Sequence, residues 1–296
     1  DAPAPLRGYD PSQDFGAADV SVDGAAVRVS GNGWKAAAID AEIGPGTVLS
    51  FDLEVEDAGE ILAIGFDDDD RLDLGRLVQL GGSDRRGDVA EFATPVSVAD
   101  GVARYEIAAG QAFTGRATRL VLAVDDDADG SGAATFSNLA LREDPTLALG
   151  GGARALVRGY DPAQDFGEAR LAEGGAAITL SGNAWKSVAL PAPSGSATWL
   201  SFDLASGDAG EILGVALDDD GALSLDKLIQ LGGSERFAAV NDDFLDFAPG
   251  AAIRSYAIPV GALTPAGQDR LVFVADDDAD GSGTATFADV LLSEAP

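Results

Sequence analysis

The sequence has no cysteine, no methionine and no histidine, and each absence removes a class of functional site. Without cysteine there is no disulfide, no zinc–thiolate centre and no thiol nucleophile. Without histidine there is no Ser-His-Asp triad and no imidazole ligand for a metal. The lack of cysteine fits a secreted protein of a Gram-negative or halophilic bacterium, so we expect an extracellular location.

Positive charge is also scarce in this chain. Its 296 residues include 50 acidic and 19 basic side chains, which gives a net charge of -31 at pH 7. A field of this sign repels nucleic acid and anionic membranes and attracts cations. No apolar run approaches the roughly 18 residues that suggest a membrane span. We therefore expect neither nucleic acid nor a membrane as partner, and we expect a monomer.

The chain consists of two copies of one module. Trp34 aligns with Trp185 and Phe51 with Phe202, each pair 151 residues apart, and the blocks RGYDPSQDFG, SGNGWK, DAGEIL and LVQLGGS return with few changes. Repeats of a solenoid run roughly 20 to 50 residues, so this longer period indicates tandem domains. The predicted modules are residues 7–143 and 158–294, with residues 144–157 as linker.

Within each module the hydrophobic period is two. In TVLSFDLEV the apolar residues Leu49, Phe51, Leu53 and Val55 alternate with polar ones, which is the pattern of a half-buried strand. Turns rich in glycine and aspartate separate about eight such strands in each module. The sequence therefore predicts an all-β protein of two tandem antiparallel β-sandwich (jelly-roll) domains.

The octapeptide DDDADGSG follows an apolar run in both modules. Its carboxylates alternate and a glycine follows, giving the D-x-D-x-D-G spacing with which a tight loop surrounds a hard cation. We therefore predict Ca²⁺, although a solvated acidic loop of a halophilic protein has the same composition. The predicted ligands are Asp125, Asp127 and Asp129 in the first module and Asp276, Asp278 and Asp280 in the second.

A second acidic loop also follows a strand in each module, as FDDDD in the first and LDDD in the second. We expect this loop to donate the remaining calcium ligands, with a solvated loop as the equal alternative. The candidates are Asp67 and Asp69, with Asp218 and Asp220. Catalysis is not expected, because a glycosidase separates its two carboxylates by about 5 to 10 Å across a cleft.

Three further residue types are candidates for ligand binding. Each tryptophan of the SGN-x-WK blocks either stacks on a sugar ring or packs in the core. The glutamate of DAGEIL caps a turn, binds metal or accepts a sugar hydroxyl, and an arginine after QLGGS can bind hydroxyls or carboxylates. The predicted ligand-binding residues are Trp34, Trp185, Arg85, Arg236, Glu60 and Glu211.

The order of the blocks carries a family resemblance. The first module contains, in this order, YDPSQDFG, SGNGWK, LSFDL, GEILAIGFDDD, LVQLGGS, YEIAAG and LVLAVDDDADGSGAATFSNLALRE. With these blocks and their counterparts in the second module, each module resembles the non-catalytic carbohydrate-binding β-sandwich modules of secreted marine bacterial polysaccharide-degrading enzymes, agarases included. The resemblance implies a jelly roll, calcium in the sandwich and no catalysis. Asp67, Asp69, Asp125 and Asp127 fall on acidic positions of the family pattern.

The leading hypothesis is a non-catalytic, calcium-binding tandem module that targets a secreted bacterial protein to polysaccharide. Two weak sites on one chain would hold a polymer by avidity. The alternative from another class is a calcium-stabilised structural or adhesin repeat without a sugar site. A minimal glycosidase or lyase is the third hypothesis.

Overall fold

The computed structural model describes residues 6–222, 224–236, 241–250 and 252–294. The chain forms two compact units that divide between Asp144 and Pro145. Among the described residues, helix is limited to α1 (Ala109–Ala112), α2 (Val260–Leu263) and three single turns of 3₁₀ helix at Leu74–Arg76, Glu173–Gly175 and Leu225–Lys227. None of these helices has the length or apolar character that a membrane crossing needs.

Within residues 6–144, the first unit contains twelve strands. They are β1 (Leu6–Gly8), β2 (Ala17–Val20), β3 (Ala26–Ser30), β4 (Gly33–Ile43), β5 (Thr47–Asp57), β6 (Ile61–Asp67), β7 (Leu77–Gly81), β8 (Glu91–Phe92), β9 (Ser97–Ala99), β10 (Val102–Ala108), β11 (Gly115–Asp125) and β12 (Ala133–Glu143).

The described part of the second unit also contains twelve strands. They are β13 (Thr146–Ala148), β14 (Arg154–Leu156), β15 (Arg158–Gly159), β16 (Glu168–Leu171), β17 (Ala177–Ser181), β18 (Ala184–Ala189), β19 (Trp199–Asp208), β20 (Ile212–Asp218), β21 (Leu228–Gly232), β22 (Arg254–Ile258), β23 (Arg270–Asp276) and β24 (Thr284–Ser293).

Each unit is a jelly roll, as the sequence predicts. In the first unit one sheet has the central order β3-β12-β5-β10 and the other β4-β11-β6-β7. The first central strand thus pairs with the last, and the second with the last but one, which is the double Greek key of a jelly roll. The second unit repeats this order as β17-β24-β19-β22 and β18-β23-β20-β21. The pairings are antiparallel except for the short β7–β8 pair.

The period-two pattern places the large apolar side chains between the two sheets. Phe51 on β5 is fully buried, stacks on Tyr105 with ring centroids 5.2 Å apart and packs against Phe136. The sheet containing β4, β11 and β6 is also covered on its outer face, where Tyr9 and Trp34 belong to a second, smaller hydrophobic cluster. This second layer explains why β6 is buried along its whole length.

Residues 144–157, which the sequence analysis assigns to a linker, include the hairpin β13–β14 of the second unit. Leu147, Leu149 and Ala155 are buried in the core of that unit. The hairpin forms because TLALGGGARAL places leucines on either side of a glycine turn, and Gly150 adopts a φ of 76° that favours glycine.

Candidate functional site

The two acidic loops of each module lie at opposite ends of one strand pair. Where β6 and β11 run antiparallel, Asp125 lies opposite Ile61 and Asp67 lies opposite Arg119. Six steps along a strand amount to about 20 Å. This separation corrects the expectation that the 67–70 loop donates ligands to the DDDADGSG loop. The second module has the same register.

We call the end of a module that carries Trp34 or Trp185 the indole end. There the indole Nε1 of Trp34 donates to Asp125 Oδ1 at 2.9 Å, and Trp185 donates to Asp276 at 2.8 Å. The two indoles are only 2% and 3% exposed. The structure therefore corrects the stacking prediction for both tryptophans, because a buried indole offers no face to a sugar ring.

Asp126, which the metal prediction omits, organises the first DDDADGSG loop. It is 5% exposed, and its Oδ2 accepts the backbone N–H of Gly132 at 2.6 Å. Ser131 ties the loop to Asp57 through a hydroxyl hydrogen bond of 2.8 Å. Asp277 makes the corresponding bond in the second module. The first loop is therefore held by its own Asp126 and by Asp57 at the end of β5.

The D-x-D-x-D-G aspartates do not form a common ligand group. In the described parts of the chain, three acidic residues bring ligand atoms within 4.8 Å of one another only at Asp67–Asp69 and at Asp218–Asp220. Asp125 instead faces the indole, and Asp129 accepts the N–H of Ser131. The spacing fails as a predictor here because Asp125 is the last residue of β11 and follows the strand's orientation.

Glu60 and Glu211 do meet predicted aspartates at the indole end. Glu60 Oε2 accepts the backbone N–H of Asp127 at 3.1 Å, and Glu211 accepts that of Asp278 at 3.0 Å. The carboxyl groups of each pair also hydrogen-bond, and this contact raises the pKa of both glutamates. Two carboxyl groups in contact favour a shared proton or a shared cation.

We call the other end of each module the triplet end, after Asp67–Asp69 and Asp218–Asp220. In the first module Asp67 is 1% exposed and accepts the N–H of Asp70 at 2.6 Å. The guanidinium of Arg76 lies 3.3 Å from Asp67 and bonds Asp68. Burial nevertheless dominates and raises the pKa of Asp67.

Lys227 takes the place of Arg76 in the second module. Its ammonium bonds Asp218 at 2.8 Å and Asp219 at 2.5 Å. Burial raises the pKa of Asp218, but the hydrogen bonds from Lys227 and from the backbone outweigh it and lower the pKa. A side-chain cation thus stands within each triplet and supplies charge that the sequence analysis assigns to calcium.

The predicted arginines Arg85 and Arg236 make different contacts in the two modules. Arg85 is exposed and lies over the ring of Phe92, 4.2 Å from its centroid. Arg236 lies 3.6 Å from the carboxylate of Asp242. Neither contact brings them to the buried tryptophans.

Each module has one exposed aromatic residue that is not among the residues predicted from the sequence. Phe15 and Phe166, which occupy the same position of the QDFG repeat, are both 75% exposed. The loop that carries Phe15 is rigid, because Asp14 accepts the N–H of Trp34 at 3.1 Å and pairs with Lys35 at 2.7 Å. An apolar residue repeated inside a polar turn was the available signal.

These phenyl rings lie at the indole end. The N–H of Phe15 donates to the carbonyl of Asn32 at 2.8 Å, and the N–H of Gly31 donates to Gly132 at 2.8 Å. Hydrogen bonds thus join the loop after β3 to the Phe15 loop on one side and to the DDDADGSG loop on the other. Phe166, Asn183 and Gly283 repeat the arrangement.

No protein-family model and no curated protein matches the chain. One similar solved structure is the N-terminal CBM22-1-CBM22-2 tandem domain from Paenibacillus barcinonensis Xyn10C, at 11% identity over 98% of this chain and 93% of that one, with a TM-score of 0.26. Another is the conserved protein of unknown function PA5104 from Pseudomonas aeruginosa PAO1, at 11% identity over 98% and 100%, with a TM-score of 0.14. Similarity this low adds nothing to the functional argument.

Proposed function

We propose that the protein is a non-catalytic, secreted tandem module that binds polysaccharide, with one glycan site at the indole end of each module. The observation that carries the proposal is the exposure of Phe15 and Phe166, 75% in both modules. Leaving a phenylalanine side chain in water forgoes about 2 kcal/mol of burial. The same exposed ring in the same loop of both modules favours a binding role over a packing role.

The surroundings of the ring suit a neutral sugar. A phenyl face offers an apolar platform, and the exposed acids Asp127 and Asp129 of the same end can accept sugar hydroxyls. The ion pair of Asp14 with Lys35 holds the loop before binding, which reduces the entropy lost on association. The net charge of -31 disfavours a polyanionic chain.

The acid pair at this end supports a role without catalysis. Glu60 and Asp127 contact each other directly, whereas a glycosidase holds its two carboxyl groups about 5 to 10 Å apart to admit the glycosidic bond. Assays for reducing ends released from a polysaccharide panel should therefore be negative. Release that is lost on changing Asp127 would favour the glycosidase hypothesis instead.

Calcium binding remains a prediction, and the triplets are the better place to test it. Asp67–Asp69 and Asp218–Asp220 bring three carboxylates together, but Arg76 and Lys227 already neutralise part of their charge. A site of micromolar affinity at millimolar calcium would stabilise the folded state by about 4 kcal/mol through mass action. Thermal unfolding with and without EDTA measures this, and an unchanged transition contradicts calcium binding.

The structural-repeat hypothesis is separated from the glycan hypothesis by retention experiments. Affinity electrophoresis of the full chain through a panel of neutral polysaccharides should show retention by at least one of them, with and without EDTA. Phe15→Ala and Phe166→Ala should each weaken it, and the double variant should abolish it. Val98→Ala, at an exposed position on edge strand β9, is the matched control. If the wild-type chain is retained by no polysaccharide, the structural-repeat hypothesis is favoured.

A further inference from the structure

Two arginines hold one aspartate at the triplet end of the first module. The guanidinium of Arg119 bonds both carboxylate oxygens of Asp70, at 3.0 and 3.3 Å. Arg7 bonds the same carboxylate from β1. Asp70 is therefore an internal oxyanion clamped by two guanidinium groups, an arrangement that suits the planar donor geometry of arginine.

The second module keeps both arginines and lacks the aspartate. Arg158 and Arg270 stand 151 residues after Arg7 and Arg119, but Gly221 occupies the position of Asp70. The backbone is the same at both positions, with a φ of 61° at Asp70 and 70° at Gly221. The N–H of Gly221 bonds Asp218 at 2.6 Å, as that of Asp70 bonds Asp67. The second module thus lacks the carboxylate of Asp70, and beside Arg270 it has Asp269 where the first module has Thr118.

In the absence of this carboxylate, one guanidinium nitrogen of Arg158 has no acceptor. Nη2 of Arg158 is buried and has no hydrogen-bond partner, and no carboxylate of the described residues forms an ion pair with Arg158. Arg270 is bonded through Nε to Asp269 at 3.2 Å, while its Nη1 lies 2.9 Å from where a Cβ on Gly221 would be. A buried, unpaired guanidinium nitrogen is unfavourable, so the site gains from an incoming acceptor.

We propose that Arg158 and Arg270 form an oxyanion site in the second module, where a ligand carboxylate or sulfate takes the place of the Asp70 carboxylate. The neighbouring acids limit what can bind. Lys227 holds Asp218 and Asp219, but Asp220 and Asp269 are exposed close by. These charges repel a dense polyanion, so the ligand carries an isolated anionic group.

This site goes beyond the proposed function and does not depend on it. It lies at the triplet end, whereas Phe166 lies at the indole end. The two ends are about 20 Å apart, which is the length of β20. Loss of glycan binding at Phe166 would leave the oxyanion site unaffected. The reverse also holds.

The chain offers a reciprocal pair of variants for the test. Gly221→Asp supplies the second module with the internal carboxylate of the first, on a backbone that already accommodates aspartate at Asp70. Asp70→Gly opens the same site in the first module. The experiment is isothermal titration of the full chain, at constant ionic strength, with sulfate, galacturonate and neutral galactose. Circular dichroism verifies that each variant is folded.

We expect wild type to bind sulfate, galacturonate or both with a stoichiometry of one, and not galactose through this site. Gly221→Asp should weaken this binding at least tenfold, and Asp70→Gly should raise the stoichiometry to two. Binding of galacturonate alone identifies an acidic sugar as the source, and sulfate binding identifies an inorganic or ester oxyanion. Saturation by neither anion, or equal binding by wild type and Gly221→Asp, would overturn the proposal. Arg158→Ala provides an independent loss of affinity if Asp70→Gly fails to fold.

Discussion

The two modules share a fold and an indole end but differ at the triplet end. At the indole end the tryptophan–aspartate bonds agree within 0.1 Å, and the exposed phenylalanines have equal exposure. At the triplet end the second module has Lys227 at the position of Arg76 and Gly221 at the position of Asp70. The indole end is therefore common to both modules, whereas the side chains of the triplet end differ on a similar backbone.

The largest expected effect concerns the buried aspartates of the triplets. Lys227→Met leaves Asp218, 1% exposed, without its closest cation, and should lower the free energy of unfolding of the second module by about 3 kcal/mol. Arg76→Met should have a smaller effect, because Arg76 is 3.3 Å from Asp67 and the pKa of Asp67 is already raised. Urea unfolding of the full chain measures both.

Arg116→Met is the control for this prediction. Arg116 pairs with Asp40 on the surface, where an ion pair contributes about 0 to 1 kcal/mol. Equal losses for Lys227→Met and Arg76→Met would show that the two triplets are electrostatically alike.

The next effect should be the same in both modules. Trp34→Phe and Trp185→Phe remove a buried indole N–H bond to a carboxylate, and each should cost about 2 kcal/mol. Trp199→Phe, at a half-buried indole on β19, is the control. A loss confined to one module would break the equivalence of the two indole ends.

The smallest effect is a pH dependence of opposite sign at two aspartates, Asp67 and Asp218. Because the folded-state pKa of Asp67 is raised, its contribution to stability is present at low pH and is lost as pH rises through that pKa. Because the pKa of Asp218 is lowered, its contribution is present above the unfolded value of about 4 and is lost as pH falls through the folded-state pKa.

Unfolding midpoints at pH 7 and pH 4 test this sign. Compared with the wild type, Asp67→Asn should reduce any stabilisation of the first module on acidification, and Asp218→Asn should reduce the destabilisation of the second. A change of the opposite sign in either variant would contradict the assignment of that aspartate.

Much of the fold can be predicted from the sequence, because the alternation of apolar and polar residues around Leu49, Phe51 and Leu53 indicates which side chains face the core. The site was less readable. The D-x-D-x-D-G spacing reports carboxylates close in sequence, but strand geometry turns Asp125 toward an indole and leaves Asp127 outside. Trp34 is buried in the layer that Tyr9 adds to the outer face of the sheet, and this long-range contact has no local signal in the sequence.

Two features missed from the sequence did have a signal. The apolar Phe15 inside a polar turn marks an exposed ring, and the change from Asp70 to Gly221 beside retained arginines marks a vacated carboxylate position. The second becomes visible only when the modules are aligned and the charge at each differing position is compared.

The central claim is that the phenyl rings of the two indole ends bind glycan. Isothermal titration of the full chain with the best-retained neutral polysaccharide tests it most directly, comparing wild type with Phe15→Ala, Phe166→Ala and the double variant. We predict an affinity loss of tenfold or more for each single variant, because avidity is lost, and no measurable binding by the double variant. Wild-type affinity in the double variant would contradict the account.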